Sequence, residues 1–150
     1  MTKFPASGGC HCGAVRFTLR GPASSVQHCH CSMCRTISGS LFETGAVIEK
    51  AQLSIDRGAD SLTTYRSSPS FRRQFCRTCG CHLFAYEDSE PVLMYFGPAT
   101  LDGGAHPGHP PHKEYHIQFA SRAEWDPTKD DLAKYDGLGP DEIITQIQKS

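Results

Sequence analysis

No long apolar run occurs in this chain, and no run of lysines and arginines does either. The first absence removes a membrane-spanning helix, which needs about 20 consecutive apolar residues. The second, with a formal net charge of −1, argues against a nucleic-acid surface, which would show as a basic stripe. Residues 1–9 hold one lysine and no apolar h-region, so nothing there reads as an export signal and a cytoplasmic location is expected. No internal repeat is visible. At 150 residues the chain is long enough to bury one core, and it is read as a single domain, residues 1–150.

Cysteine is what the chain has in number. Its eight cysteines fall into three clusters: Cys10 and Cys12, then Cys29, Cys31 and Cys34, then Cys76, Cys79 and Cys81. Without an export signal they read as metal ligands in preference to disulfides, because the cytosol keeps thiols reduced. The central stretch, Cys29-His30-Cys31-Ser32-Met33-Cys34, puts three thiols within six residues. On extended backbone Cys29 and Cys31 point to one side while His30 points away, and a turn through Ser32 and Met33 returns Cys34 as a third donor. Thiolates at that density favour Zn²⁺ over Mg²⁺ or Ca²⁺. Cys76-Arg77-Thr78-Cys79-Gly80 is half of a zinc site, with Gly80 expected at positive φ.

Between the clusters, the pattern predicts strands. Alternation over 14–19, 26–29, 41–48, 53–55, 62–65, 72–76, 82–86, 92–96 and 115–120 predicts a mostly β, antiparallel domain, with Gly45 as a bulge and a hairpin around 67–70. A short helical turn should follow Cys34 and close at Gly39. Pro140 within Gly139-Pro140-Asp141-Glu142 starts a C-terminal helix whose Ile143, Ile144 and Ile147 share a face. Phe17, Phe42, Phe75, Phe84 and Phe96 are expected in the core, and Trp125 is expected to pack the last strand against the sheet. The loop over 97–112, rich in Gly, Pro and His, is long enough to form a lid or wall of a site.

Three motifs carry a family resemblance: Gly-Gly-Cys-His-Cys-Gly-Ala-Val-Arg-Phe (8–17), Cys-His-Cys-Ser-Met-Cys-Arg-Thr-Ile-Ser-Gly-Ser (29–40) and Phe-Cys-Arg-Thr-Cys-Gly (75–80). In order and spacing they resemble the glutathione-dependent formaldehyde-activating enzymes, with weaker likeness through the His116-Ile117 strand and Trp125. The core is thus about 8–126, with 127–150 as an extension. The resemblance implies a β-tent fold with two zinc ions, one structural on Cys10, Cys12, Cys76 and Cys79, the other catalytic on Cys29, Cys31 and Cys34. It also implies condensation of glutathione with formaldehyde, a carbon–sulfur lyase reaction in reverse, with other thiols or small aldehydes as further substrates.

The chemistry of the donors agrees with that assignment. Four thiolates close a tetrahedron and leave nothing for substrate, whereas three leave one position open. Three anionic ligands make bound water less acidic than imidazoles would, so the open site suits a substrate thiol better than hydroxide. Cys81 departs from the family pattern: it either closes the central site as a fourth thiolate or is a small core residue on the strand, the second being expected.

Other residues carry competing readings. Arg35 is expected to bind a glutathione carboxylate or lower a thiol pKa, against packing over the metal loop. His116 either lines the substrate pocket or is a satisfied strand residue. His11, His28 and His30 are expected to point away from the metals, and the 106/109/112 histidine triplet is a weaker metal candidate. The alternative to an enzyme is a non-catalytic, zinc-stabilised interaction module on the same fold. Neither nucleic acid nor membrane is an expected partner, and a homodimer stays open.

Overall fold

Residues 2–140 are described by the computed structural model. In chain order the strands are β1 (Ala6–Gly9), β2 (Arg16–Leu19), β3 (Ser25–Cys29), β4 (Glu43–Glu49), β5 (Leu53–Arg57), β6 (Leu62–Arg66), β7 (Phe71–Cys76), β8 (His82–Glu87), β9 (Leu93–Phe96), β10 (Glu114–Ile117) and β11 (Ala133–Lys134), with one α-helix, α1 (Ser32–Ser38). They form a three-stranded sheet in the order β1-β2-β5 and an eight-stranded sheet in the order β11-β10-β3-β4-β9-β8-β7-β6. Most neighbours are antiparallel, as the alternation predicts, but β10 runs parallel to both β3 and β11, so the large sheet is mixed. A parallel partner needs a long crossover. Strands β4 to β9 and the turns over 97–113 supply it, a connection that periodicity cannot reveal.

The two sheets are joined through aromatic side chains. Within β2, Phe17 and Leu19 are buried while Arg16 and Thr18 are half-buried, the two-residue period of a strand with one inward face. Phe17 reaches from the small sheet to the large one, lying edge-on to Phe84 of β8 at 5.5 Å and to Phe96 of β9 at 6.0 Å. Full burial of a phenylalanine contributes about 1.5–3 kcal/mol, and the edge-on pairing adds to it. Val15, Leu19, Ala46, Ile48, Leu83 and Leu101 are among the other members of this core, which also contains Cys10 and Cys76.

Some expectations need correction. Gly45 is not a bulge: the β3–β4 register runs without a break through Gln27↔Gly45. Glycine stands there because a Cβ would meet Tyr95 Cδ1 at 3.1 Å. Phe42 and Phe75 are only half-buried; Phe42 lies against the rings of His28 and His30, and Phe75 against His82. Trp125 is 74% exposed and does not hold the last strand. The side chain of the next residue, Asp126, turns inward and is fully buried. The last long strand also ends earlier than the alternation suggests, because Gln118 at φ 52° breaks it into a 3-10 turn over Phe119–Ser121. The C-terminal helix over 141–150 lies outside the described residues.

Candidate metal centres and the cavity between the sheets

Each cysteine cluster follows from local backbone. Cys10 and Cys12 sit in the β1–β2 connection, where Val15 N–H donates to Cys10 Sγ at 3.2 Å. Cys76 ends β7, and the turn to β8 returns Cys79, with Gly80 at φ 76° and its N–H on Cys76 O at 2.8 Å. A side chain at that φ would be strained, so glycine is required. The four sulfurs of Cys10, Cys12, Cys76 and Cys79 lie within 4.8 Å of one another, with 3.6 Å from Cys10 to Cys12 and 3.7 Å from Cys12 to Cys76. A tetrahedron of 2.3 Å zinc–sulfur bonds has an edge of about 3.8 Å, so these donors fit such an ion.

The cluster's sulfurs differ in ionisation. The Cys12 backbone N–H, and then that of Cys81, bring the Cys79 thiol down to about 6. Cys12 is pushed up to about 11: although Ala14 N–H acts the other way, burial and the thiols of Cys10, Cys76 and Cys79 outweigh it. Cys81 belongs to neither cluster; it packs against the core beside this one, with its Sγ 3.6 Å from His82 O.

The second cluster is built at the end of β3. Cys29 is the last strand residue, Cys31 is the N-cap of α1, and Cys34 lies in the helix's first turn. Capping makes the return turn possible: Cys34 N–H donates to Cys31 Sγ at 3.4 Å, and Gly39 closes the helix at the C-cap as predicted. The three sulfurs again lie within 4.8 Å of one another. The neighbouring thiols of Cys29 and Cys34 hold Cys31 down at about 2, whereas Cys29 is pushed up to about 12 and Cys34 is raised by the same contacts. Cys31 is thus the most readily ionised of the three thiols when no metal is bound. Metal uptake by this cluster near pH 7, in protein already loaded at the four-cysteine cluster, is expected to release about two protons, from Cys29 and Cys34. Affinity should therefore fall about 100-fold for each unit of pH lost, which an indicator-dye titration in weak buffer measures directly.

The central sulfurs face a cavity of about 370 Å³, whereas the four-cysteine cluster does not line it. Beside the cluster are two charged groups that sequence reasoning missed. Glu43, opposite Cys29 in the β3–β4 register, forms an ion pair with Arg73 of β7. Arg73 also donates from Nη2 to Cys34 Sγ at 3.7 Å and from Nε to Ser67 Oγ at 3.0 Å, and is 7% exposed. Burial works to raise Glu43, but His82 and Arg73 hold its carboxyl below the usual range. Three strand steps separate β4 from β7, about 14 Å in a flat sheet. Their ion pair spans the face of the sheet beside the cavity. The signal was present in Phe71-Arg72-Arg73-Gln74-Phe75: Arg73 occupies an inward position between two inward phenylalanines.

Arg35 and His116 lie elsewhere, since neither lines the cavity. Arg35 Nε donates to His30 O at 3.2 Å, and His30 N–H donates to Ile117 O at 3.1 Å, so the peptide between Cys29 and Cys31 is held from both sides. The His30 ring points away from the sulfurs, as expected, and is fully buried. Its Nε2 is 2.8 Å from His116 Nδ1, its Nδ1 is 3.1 Å from Asp126 Oδ2, and His116 Nε2 is 2.8 Å from Asp130 Oδ2. Burial, then the adjoining His116, lowers the His30 pKa. His28 lies on the same side, bonded to Thr44 and Glu114, and His109 bonds the other oxygen of Glu114 at 2.9 Å. His106 stacks on His109 at 4.6 Å, and the triplet forms no metal cluster among the described residues. Pro98, Ala99 and Thr100, at the start of the long loop, form part of the cavity wall.

A mixed-β protein with one four-cysteine cluster away from the cavity and one three-cysteine cluster facing it is the class that fold and site define. A profile of the family described as glutathione-dependent formaldehyde-activating enzyme matches residues 5–119. The chain belongs to that family. Among similar proteins, one from Halomonas elongata bearing the family's name is 27% identical over 125 residues, covering 79% of this chain and 77% of the relative. One from Pyrenophora teres f. teres is 36% identical over 77 residues, covering 50% of this chain and 40% of the relative, so the match spans less than half of that protein. The crystal structure of a Rhodobacter sphaeroides protein superposes with a TM-score of 0.56 at 31% identity, covering 67% of this chain and 91% of that one. Among the described residues no helix is long and apolar enough to cross a membrane.

Proposed function

We propose that this protein is a zinc-dependent enzyme of the carbon–sulfur lyase type that condenses a low-molecular-weight thiol, such as glutathione, with formaldehyde or a related small aldehyde, and cleaves the same adduct in reverse. The observation that carries the reading is the contrast between the two clusters: four thiols placed away from the cavity, three facing into it. Cys10, Cys12, Cys76 and Cys79 would hold a structural zinc ion, and Cys29, Cys31 and Cys34 a second. Bound at the second cluster, zinc supplies the Lewis acidity that keeps a substrate thiol ionised near neutral pH.

The chain's own groups do the remaining work. Phe71, Phe75, Tyr95 and Phe96 line the cavity and exclude water, which strengthens every charge interaction within it. Arg73 donates from Nη2 to Cys34 Sγ while paired with Glu43, and so fixes the position of that sulfur. In the reaction a sulfur–carbon bond forms, the carbonyl π pair moves to oxygen, and that oxygen takes up a proton. His82, in the cavity lining with a half-exposed side chain and 4.0 Å from Glu43, is placed to exchange that proton with solvent. Arg35 and His116 act from behind, holding the loop that presents the three sulfurs.

The test follows exchange between hydrated ¹³C-formaldehyde and its S-hydroxymethyl adduct with glutathione by NMR. The zinc-loaded protein should accelerate exchange at least about tenfold over the spontaneous reaction, on the scale of a single positioned catalytic group. No acceleration with any thiol, in protein carrying its metal, refutes the reading.

A further inference from the structure

We propose that the cavity selects a thiol whose body is apolar and uncharged over one with anionic arms, glutathione included. This rests on the thiol-condensing reading above and narrows its substrate class. Three observations carry it. A cavity of about 370 Å³ is far larger than formaldehyde needs and falls in the range of small-molecule pockets, so most of it serves the body of the thiol. Its walls are apolar for most of their extent: Phe71 and Phe75 from β7, Leu83 from β8, Tyr95 and Phe96 from β9, and Pro98 beyond.

The third observation is electrostatic. Among the described residues, the permanent cation in the lining is Arg73. Arg73 is already committed, through Nη1 to Glu43, Nη2 to Cys34 and Nε to Ser67. Three thiolates around a divalent ion would leave one negative charge, and Glu43 is paired with Arg73, so with the ion bound the inner end of the cavity would keep a net negative charge. A carboxylate brought there would lose its water and meet like charge, without a free guanidinium to pair with. An aromatic or aliphatic body loses water with gain. His82 stands at the exposed edge, 4.0 Å from Glu43, and so offers an anionic arm little.

The experiment is isothermal titration calorimetry of the zinc-loaded protein with phenylmethanethiol, its S-methyl thioether and glutathione. Phenylmethanethiol should bind at least tenfold more tightly than glutathione, and at least tenfold more tightly than the thioether, which has the same body and no ionisable sulfur. In Phe75→Ala, whose side chain is half-buried and so removable without loss of the core, phenylmethanethiol should weaken about fivefold or more while glutathione changes less than twofold. Glutathione binding equally or more tightly overturns the inference and leaves the enzymatic reading standing. The same holds if Phe75→Ala weakens both thiols alike. A thioether that binds as well as its thiol overturns it as well, since binding is then mere partition into an apolar surface. If neither thiol binds protein that holds two metal ions per chain, the enzymatic reading fails together with it.

Discussion

Cys79→Ser is expected to unfold the domain under conditions in which the parent chain is folded. The four-cysteine cluster takes two donors from the β1–β2 connection and two from the β7–β8 turn, so a metal there ties the small sheet to the large one. Cys10 and Cys76 are themselves part of the main core, and Cys76 is wholly buried. Structural zinc contributes on the order of 10 kcal/mol, against a net stability of about 5–15 kcal/mol for a whole domain. Losing one ligand therefore removes a large share of the margin. Serine at 79 supplies a weaker, harder donor in a turn whose geometry is otherwise kept by Gly80. Far-UV circular dichroism and thermal melts, with metal content by elemental analysis, check this. A variant melting within a few degrees of the parent would show that the cluster is not a structural metal site.

Cys31→Ser is expected to act in the opposite way, abolishing adduct formation while leaving the fold and one zinc ion in place. The substitution separates the two roles of Cys31. As N-cap of α1 it accepts the Cys34 N–H, and serine is among the best residues for that task, so the helix should keep its start. In the proposed central metal site it is one of three donors, and two remaining thiols would hold an ion far less well than three. Its neighbours Cys29 and Cys34 also hold its pKa low, so its loss removes the cluster's most readily ionised thiol. The exchange rate measured by NMR should drop to within a few-fold of the spontaneous reaction, about the full effect of the catalyst, with the melting temperature almost unchanged. Parent-like activity in Cys31→Ser would remove the central cluster from the chemistry. The pair of variants forms a crossed test: one should lose fold, the other only function.

The contrast between Glu43 and Cys29 shows where sequence reading ends. Cys29, Cys31 and Cys34 are legible because the whole ligand set lies within six residues, where local backbone geometry alone decides which sulfurs converge. Alternation similarly marks Phe17 and Leu19 as inward, because a strand's two-residue period is a local property. Glu43 and Arg73 are 30 residues apart and become neighbours only because β4 and β7 lie in one sheet lining one cavity. No local pattern encodes that pairing. Arg35 attracts attention in the sequence by standing next to Cys34, yet its side chain runs back to the His30 carbonyl, while the guanidinium that touches Cys34 comes from β7. Trp125 and Asp126 reverse the composition-based expectation for the same reason: a buried imidazole at His30 gives the carboxylate a partner inside, and nothing comparable draws the indole in.

The sequence by itself determined the two ligand motifs, the strand-rich character and the helical turn from Cys31 to Gly39, since spacing, alternation and capping all act within a few residues. Only the tertiary structure decided that the three-cysteine cluster faces the cavity and the four-cysteine cluster does not. That placement depends on bringing Cys10 and Cys12 across to Cys76 and Cys79, and Glu43 to Arg73 beside Cys34. Long-range pairing of this kind is a property of the folded whole and not of any one segment: Phe17, Phe84 and Phe96 meet between the sheets, and Tyr115 and Ile117 of β10, parallel to β3, pack with Cys29 and Cys34.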